Sequence, residues 1–328
     1  MQTLSVFQRW IVACAGFLLA GAVFANAVAQ GYPTRAVRVV IGYPAGSGND
    51  VIARLVLGET GKNIGQQFII DNRPGASGNI GAEMVARSAP DGYTLLNAPG
   101  SISATPALAK QLTYDLLRDL EPVSIMASVP FILAVHPSLP VQSAKSLINF
   151  AKARPDQLTF ASSGTGGLPH LTGELFRIRA GLKLLHVPYK GTGQANLDVI
   201  RGQVSMIFTP AASVMPHLKS GRLRALAITS TVRHPSLPEV PTLDETVFRG
   251  FESRNWVALF APRGTPVDAV MRLNAEINQV VQTPAMRKSF QDLGSEPMVG
   301  SPQQWSSYVH SEVSKWAQVV REANITLQ

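Results

Sequence analysis

Cysteine is almost missing from this chain of 328 residues: Cys14 is the single one, and it falls within the first 29. The remainder has no thiol nucleophile and no means of building a disulfide framework. Charged residues are few, at 15%, and aromatics make up 7%. The basic residues are scattered singly rather than grouped with aromatics, which argues against nucleic acid as a partner. The six histidines (His136, His170, His186, His217, His234 and His310) show no metal-type i, i+4 pairing, so neither a metal nor a cofactor is expected. No glycine loop is followed by Gly-Lys-Ser/Thr, which excludes P-loop chemistry. Beyond the N-terminus there is no apolar run long enough to cross a bilayer.

What is present begins with a three-part N-terminus. Arg9 precedes the apolar run Trp10 to Phe24, and Ala27-Val28-Ala29 supplies a small-x-small cleavage motif. This is the pattern of a secretory leader over residues 1–29, and it implies export. Trp10 to Ala29 is also about long enough for a permanent anchor, but its glycines, alanines and cleavage motif favour removal. Ile11-Val12-Ala13-Cys14 resembles a lipoprotein box, yet too few apolar residues separate it from Arg9. Loss of the leader removes one basic residue and no acidic one, so the formal charge of +8 becomes +7. A mild positive field of this kind attracts small anions.

From Ala36 onward, short apolar runs alternate with amphipathic segments. Strands are expected at Val37–Ile41, Phe68–Ile70, Tyr93–Leu96, Phe131–Val135, Leu158–Ala161, Leu184–Val187, Met206–Phe208, Ala225–Ile228 and Val257–Phe260. Such alternation predicts an α/β fold with mainly parallel sheets flanked by helices. Thr265-Pro266 predicts a capped helix start, and Ser301-Pro302-Gln303-Gln304 predicts a capping box. Trp305, Val309, Val313, Trp316 and Val320 then recur at helical spacing, an apolar stripe that should dock a long C-terminal helix. The length suggests about two domains. No flexible linker separates them, and the proline-rich stretches around Val129-Pro130 and Pro235–Pro241 read as crossings or turns.

Three strand ends carry Ser/Gly loops. The first is Gly46-Ser47-Gly48-Asn49-Asp50, running into a helix at Val51. The second is Ser162-Ser163-Gly164-Thr165-Gly166-Gly167, running into a helix that contains His170. The third surrounds Gly100 and Ser101. Loops of this grammar leave backbone N–H groups free at helix starts, where they can hold an anion. Ligands of open α/β sheets lie beyond the carboxyl ends of the strands, and these loops lie there. A hydrogen bond to a charged group contributes roughly 1.5–3 kcal/mol, and micromolar affinity requires about 8 kcal/mol. Four or five contacts from two such jaws therefore suffice without a metal or an ion pair. His170 and Lys190 are further candidate donors.

Two enzymatic or nucleotide readings are weighed on the same residues. Gly46-Ser47-Gly48-Asn49-Asp50-Val51 begins like a dinucleotide fingerprint, but Val51 stands in the third glycine's place. Gly75-Ala76-Ser77-Gly78-Asn79 misses a nucleophile elbow at Asn79, and Asp71-Asn72-Arg73-Pro74 separates it from its strand. Asp71 and Arg73 are expected to pair across that turn. The alternative function is a secreted serine hydrolase of small esters using Ser77 or Ser163.

Taken together, these residues resemble the Bug-type substrate-binding proteins of tripartite tricarboxylate transporters, over the whole chain from Tyr32-Pro33 onward. The blocks that carry the resemblance run from Asp71 to Gly81, Ala89 to Leu96, His186 to Gly191, Leu223 to Ser230 and Glu239 to Thr242. The resemblance implies a two-domain clamshell of the type II periplasmic-binding-protein (Venus-flytrap) class, with two crossings between domains. The expected division is 30–130 plus 254–328 against 131–253. It implies no catalytic activity, a monomer, partner transporter subunits in the membrane, and a small carboxylate ligand. By the same resemblance, ligand contacts come from Gly46, Ser47, Gly48, Asn49, Asp50, Gly100, Ser101, Ser162, Ser163, Gly164 and Thr165. Two positions depart from the pattern: Thr209-Pro210 where many relatives carry Asp-Asn, and Asn49 where threonine is usual. Without an acidic group at Thr209 the ligand is expected to carry no ammonium.

Overall fold

The computed structural model describes residues 31–109 and 111–326; the expected leader, residues 1–29, lies outside the described residues. In chain order the first elements are β1 (Val37–Ile41), α1 (Gly48–Ile64), β2 (Phe68–Asn72), α2 (Asn79–Ala86) and β3 (Thr94–Pro99). The short helices α3 (Thr105–Leu108) and α4 (Leu116–Asp119) lead into β4 (Leu120–Val135). There follow α5 (Ala144–Lys152), β5 (Thr159–Ser162), α6 (Leu168–Ala180), β6 (Leu185–Pro188), α7 (Thr192–Ile200), β7 (Met206–Pro210), α8 (Ala211–Lys219), β8 (Arg224–Ile228) and α9 (Leu243–Thr246). The chain finishes with β9 (Arg254–Pro262), α10 (Val267–Gln282), α11 (Pro284–Asp292), β10 (Glu296–Pro297) and α12 (Pro302–Glu322).

The strands lie in the order β2-β1-β3-β9-β4-β7-β5-β6, with β8 and β10 also paired to β4. Helix-connected neighbours run parallel, as in β1–β2, β1–β3, β5–β6 and β5–β7. The strands that join the two ends of this order pair antiparallel. They include β4, whose 16 residues serve two arrays. Its first part pairs with β9 as far as Pro130↔Arg254, and its last part pairs with β7 from Phe131↔Pro210. One peptide therefore carries the chain from the first array to the second. The return falls at an equally narrow place: Ser253 N–H donates to Thr229 O beside β8, and Arg254 already belongs to β9.

All nine expected strands form. The first half of β4 was not legible, because Glu121-Pro122 and Ser124 break any alternation in a stretch that is buried on both faces. A strand covered on both sides shows no period-2 pattern.

The C-terminal helix ties the arrays together. Ser301 Oγ accepts from Gln304 N–H at 3.2 Å while Gln304 Oε1 accepts from Ser301 N–H at 2.8 Å, the expected capping box. Trp305 and Val309 pack with Trp256 and Phe260 in a core of the first array. Trp316, Val319 and Val320 pack with Phe160 and Phe176 in the core of the second. One apolar stripe thus serves two cores, each large buried side chain contributing about 1.5–3 kcal/mol. The expected cap at Thr265-Pro266 takes another form. Thr265 Oγ1 donates to Pro262 O at 2.8 Å and closes a turn, so Pro266 occupies the cap position of α10 and Val267 begins the helix.

Candidate ligand-binding site

A cavity of about 510 Å3 opens where the two arrays meet. The first array contributes the start of α1 (Ser47, Gly48 and Asn49), together with Ser101 and Asn255. The second contributes Ser163 and the starts of three helices: Gly167-Leu168 of α6, Thr192 of α7 and Pro210 with Ala212 of α8. Helix starts from both sides therefore face one space.

Capping distinguishes these helices from their neighbours. Two other helices of the second array, α5 and α9, have full capping boxes at Ser143 and Thr242. By contrast, α6, α7 and α8 are preceded by Gly167, Gly191 and Pro210 and have no side-chain cap. Their first-turn N–H groups stay open to an incoming acceptor. Each helix end also carries a partial positive charge, which favours an anion by about 0.3–1 kcal/mol. No charged side chain lines the cavity.

The first loop is shaped by its own carboxylate. Gly46, at φ 81°, turns the chain so that its N–H donates to Asp50 Oδ2 at 2.9 Å. Arg54 Nε donates to the same oxygen at 2.9 Å, and Asn72 Nδ2 donates to Oδ1 at 3.0 Å. Burial by itself would raise the Asp50 carboxyl; the Arg54 guanidinium, the Gly46 N–H and the Asn72 amide outweigh it and hold the group below the usual range. Asp50 is saturated by the protein, so it shapes the loop and has no free oxygen to turn on the cavity. Asn49 is the reverse: it is 9% exposed, and neither its Oδ1 nor its Nδ2 has a partner among the described residues. Leaving an amide buried and unpaired costs about 1–3 kcal/mol unless something occupies the space in front of it.

The second loop rests on two histidines. His170 Nδ1 accepts from Gly166 N–H at 3.0 Å, which places the proton of the neutral ring on Nε2. Its ring stacks on His186 with centroids 3.7 Å apart. His186 Nε2 lies 2.7 Å from Ser162 Oγ, which also accepts from Gly164 N–H at 3.2 Å. Burial drives His170 down to about 3, helped by the neighbouring His186 and Arg177, and burial drives His186 down to about 4. Both rings are neutral near pH 7 and act beneath the loop.

Of the sequence candidates, Ser47, Gly48, Asn49, Ser101 and Ser163 line the cavity. Asp50, Gly100, Ser162 and His170 are buried behind that lining, and Gly46 and Gly164 are outside it. Gly100 N–H donates to Asn255 Oδ1 at 3.2 Å and so leaves the Asn255 Nδ2 to the cavity. Thr165 and Lys190 are exposed and outside the lining. Thr209 is fully buried one residue before Pro210, which is the residue that reaches the cavity. Tyr43, Thr192, Asn255, Ala212 and Leu293 were not anticipated. Thr192 sits two residues from Lys190, just past the block that ends at Gly191, and its position at a helix start was the available signal. Asp71 and Arg73 pair as expected, at 2.9 Å. Ser77, in a short 3-10 turn, lies outside the cavity lining.

Helix starts from two α/β arrays, three of the second array without a side-chain cap and α1 of the first capped by Ser47, turn on one cavity lined by neutral groups and define a solute-binding protein. The chain belongs to the tripartite tricarboxylate transporter family receptor (TctC) family, whose model matches residues 52–325. It is 36% identical over 314 residues to protein BugT of Bordetella pertussis, covering 95% of this chain and 96% of that protein. Among solved structures it is similar to R. palustris Rpa4515 with adipate, at 36% identity and a TM-score of 0.73, covering 90% of this chain and 100% of that one. It is also similar to MatC (Rpa3494) from Rhodopseudomonas palustris with bound malate, at 31% identity and a TM-score of 0.69, covering 88% and 100%. The family is one of receptors, so the chain is a binding protein and not an enzyme, and the hydrolase alternative has no support. No helix among the described residues is long and apolar enough to cross a membrane.

Proposed function

We propose that the chain works in the periplasm as a monomeric receptor that captures a small carboxylate lacking an ammonium group and presents it to membrane subunits of a tripartite tricarboxylate transporter. Two domains, residues 30–130 with 254–328 and residues 131–253, form the jaws. The ligand contacts are made by Ser47, Gly48, Asn49, Ser101, Ser163, Thr192 and Asn255. The observation that carries this reading is the Asn49 amide, buried and unpaired at the edge of a cavity ringed by open helix starts. The adipate and malate of the two similar structures are the same class of ligand. An ammonium group would find no carboxylate in the lining.

A thermal-shift screen of the mature protein tests this, with mono-, di- and tricarboxylates, aromatic acids, aspartate and glutamate. At 100 times Kd a ligand adds about 2.7 kcal/mol. At roughly 2–4 °C per kcal/mol the melting temperature should rise by several degrees. If no acid shifts it, the receptor reading fails; if aspartate or glutamate is preferred, the exclusion of an ammonium fails.

A further inference from the structure

We infer that the acid held by this site has an extended hydrocarbon body without hydroxyl groups. The inference rests on the receptor reading and concerns what lies beyond the carboxylate. The polar groups of the cavity belong to loops and helix starts, with Asn255 on β9 beside Val129 the one strand residue among them, whereas β4 and β9 otherwise give it an apolar floor. Val129 and Phe131 come from β4 and Val257 from β9, flanking the peptide where β4 changes partners. Val51 and Ile52 on α1 and Leu293 at the end of α11 complete an apolar belt. Val51 and Leu293 are 37% and 36% exposed, large apolar side chains turned on a space that a ligand body would fill.

Size points the same way. A cavity of about 510 Å3 lies within the range of about 300–1,000 Å3 that holds a drug-sized ligand, and a four-carbon acid leaves most of it empty. Each methylene removed from water against the belt strengthens binding about fourfold. A hydroxyl placed against Val51, Ile52, Phe131 and Leu293 meets side chains with no donor or acceptor and weakens binding at least about fivefold. The same belt accepts a straight chain or an aromatic ring, since both present carbon to carbon.

The test is isothermal calorimetry on protein refolded free of bound ligand. Succinate, adipate and suberate form the chain-length series, malate against succinate measures one hydroxyl, and 3-phenylpropionate stands for a ring. Affinity should rise from succinate to suberate by about fourfold per methylene until the chain fills the cavity, and malate should bind at least about fivefold more weakly than succinate. Suberate tighter than 3-phenylpropionate assigns a chain, and the reverse assigns a ring. Val51→Thr and Leu293→Ser, at exposed positions, should weaken suberate about fivefold and succinate about twofold. Malate matching succinate, suberate no better than succinate, or equal losses for both acids in the variants overturns the inference while leaving a carboxylate receptor standing. Failure of every acid to bind overturns the receptor reading as well.

Discussion

Gly46 N–H donates to Asp50 Oδ2 at 2.9 Å, so the residues that face the cavity are clamped by the first turn of the helix they open. The same carboxylate holds Arg54 and Asn72. Asp50→Ala strips partners from three donors at once and should destabilise the protein by about 2–3 kcal/mol in urea unfolding. It should also weaken adipate binding at least tenfold, because the Ser47–Asn49 backbone loses its fixed course. Unchanged stability shows that the clamp does not set the loop.

The stacked pair His170 and His186 makes a second prediction. Both rings are pushed below the ordinary histidine value, to about 3 and about 4. As pH falls below about 6.5 the unfolded chain takes up protons that the folded chain refuses, so stability is full above that value and declines as pH falls toward 4 and 3. The slope is at most about 1.4 kcal/mol per pH unit for each ring. Protonated His170 also sets two N–H donors, its own and that of Gly166, against each other. A His170→Gln, His186→Gln double variant should flatten the decline between pH 6.5 and 4.5 in denaturant titrations. An unaltered slope assigns the acid sensitivity elsewhere.

How far the sequence reaches is clear at particular residues. Strand, Ser/Gly loop and helix start follow from local chemistry, and the loops at Ser47–Asn49 and Ser163 fall where that grammar places them. Asp50 was counted as a ligand contact through the family resemblance, and His170 as a donor at the start of its helix. Only the fold reveals that their bonding capacity is directed to Gly46, Arg54, Asn72 and Gly166. Asn255 and Leu293 were invisible for another reason. They join the cavity through the pairing of β4 with β9 and the turn after α11, contacts between segments more than 80 residues apart. Lys190 attracted notice by its charge, yet the site contains no cation; Thr192 beside it opens the helix.

Gly294 and Ala212 meet across the arrays. Gly294 has φ 61°, and a Cβ there would stand 2.6 Å from the Ala212 Cβ and 2.8 Å from the Ala212 backbone N. Gly294→Ala should cost about 1–3 kcal/mol through overpacking and left-handed strain. It should also weaken adipate binding by wedging the start of α8 away. Adding Ala212→Gly should give little rescue, because the nearest obstacles include backbone. Full rescue contradicts a contact made by the main chain.

The central claim is that neutral donors led by Asn49 hold a carboxylate, and calorimetry of adipate on wild type, Asn49→Ala and Asn49→Asp tests it most directly. Removing one hydrogen bond to a charged group weakens binding by about 1.5–3 kcal/mol, so Asn49→Ala should lose about tenfold to a hundredfold. Asn49→Asp puts a like charge of the same size in the same place and should abolish binding while the protein still melts cooperatively. Adipate binding to Asn49→Asp as tightly as to wild type contradicts the account.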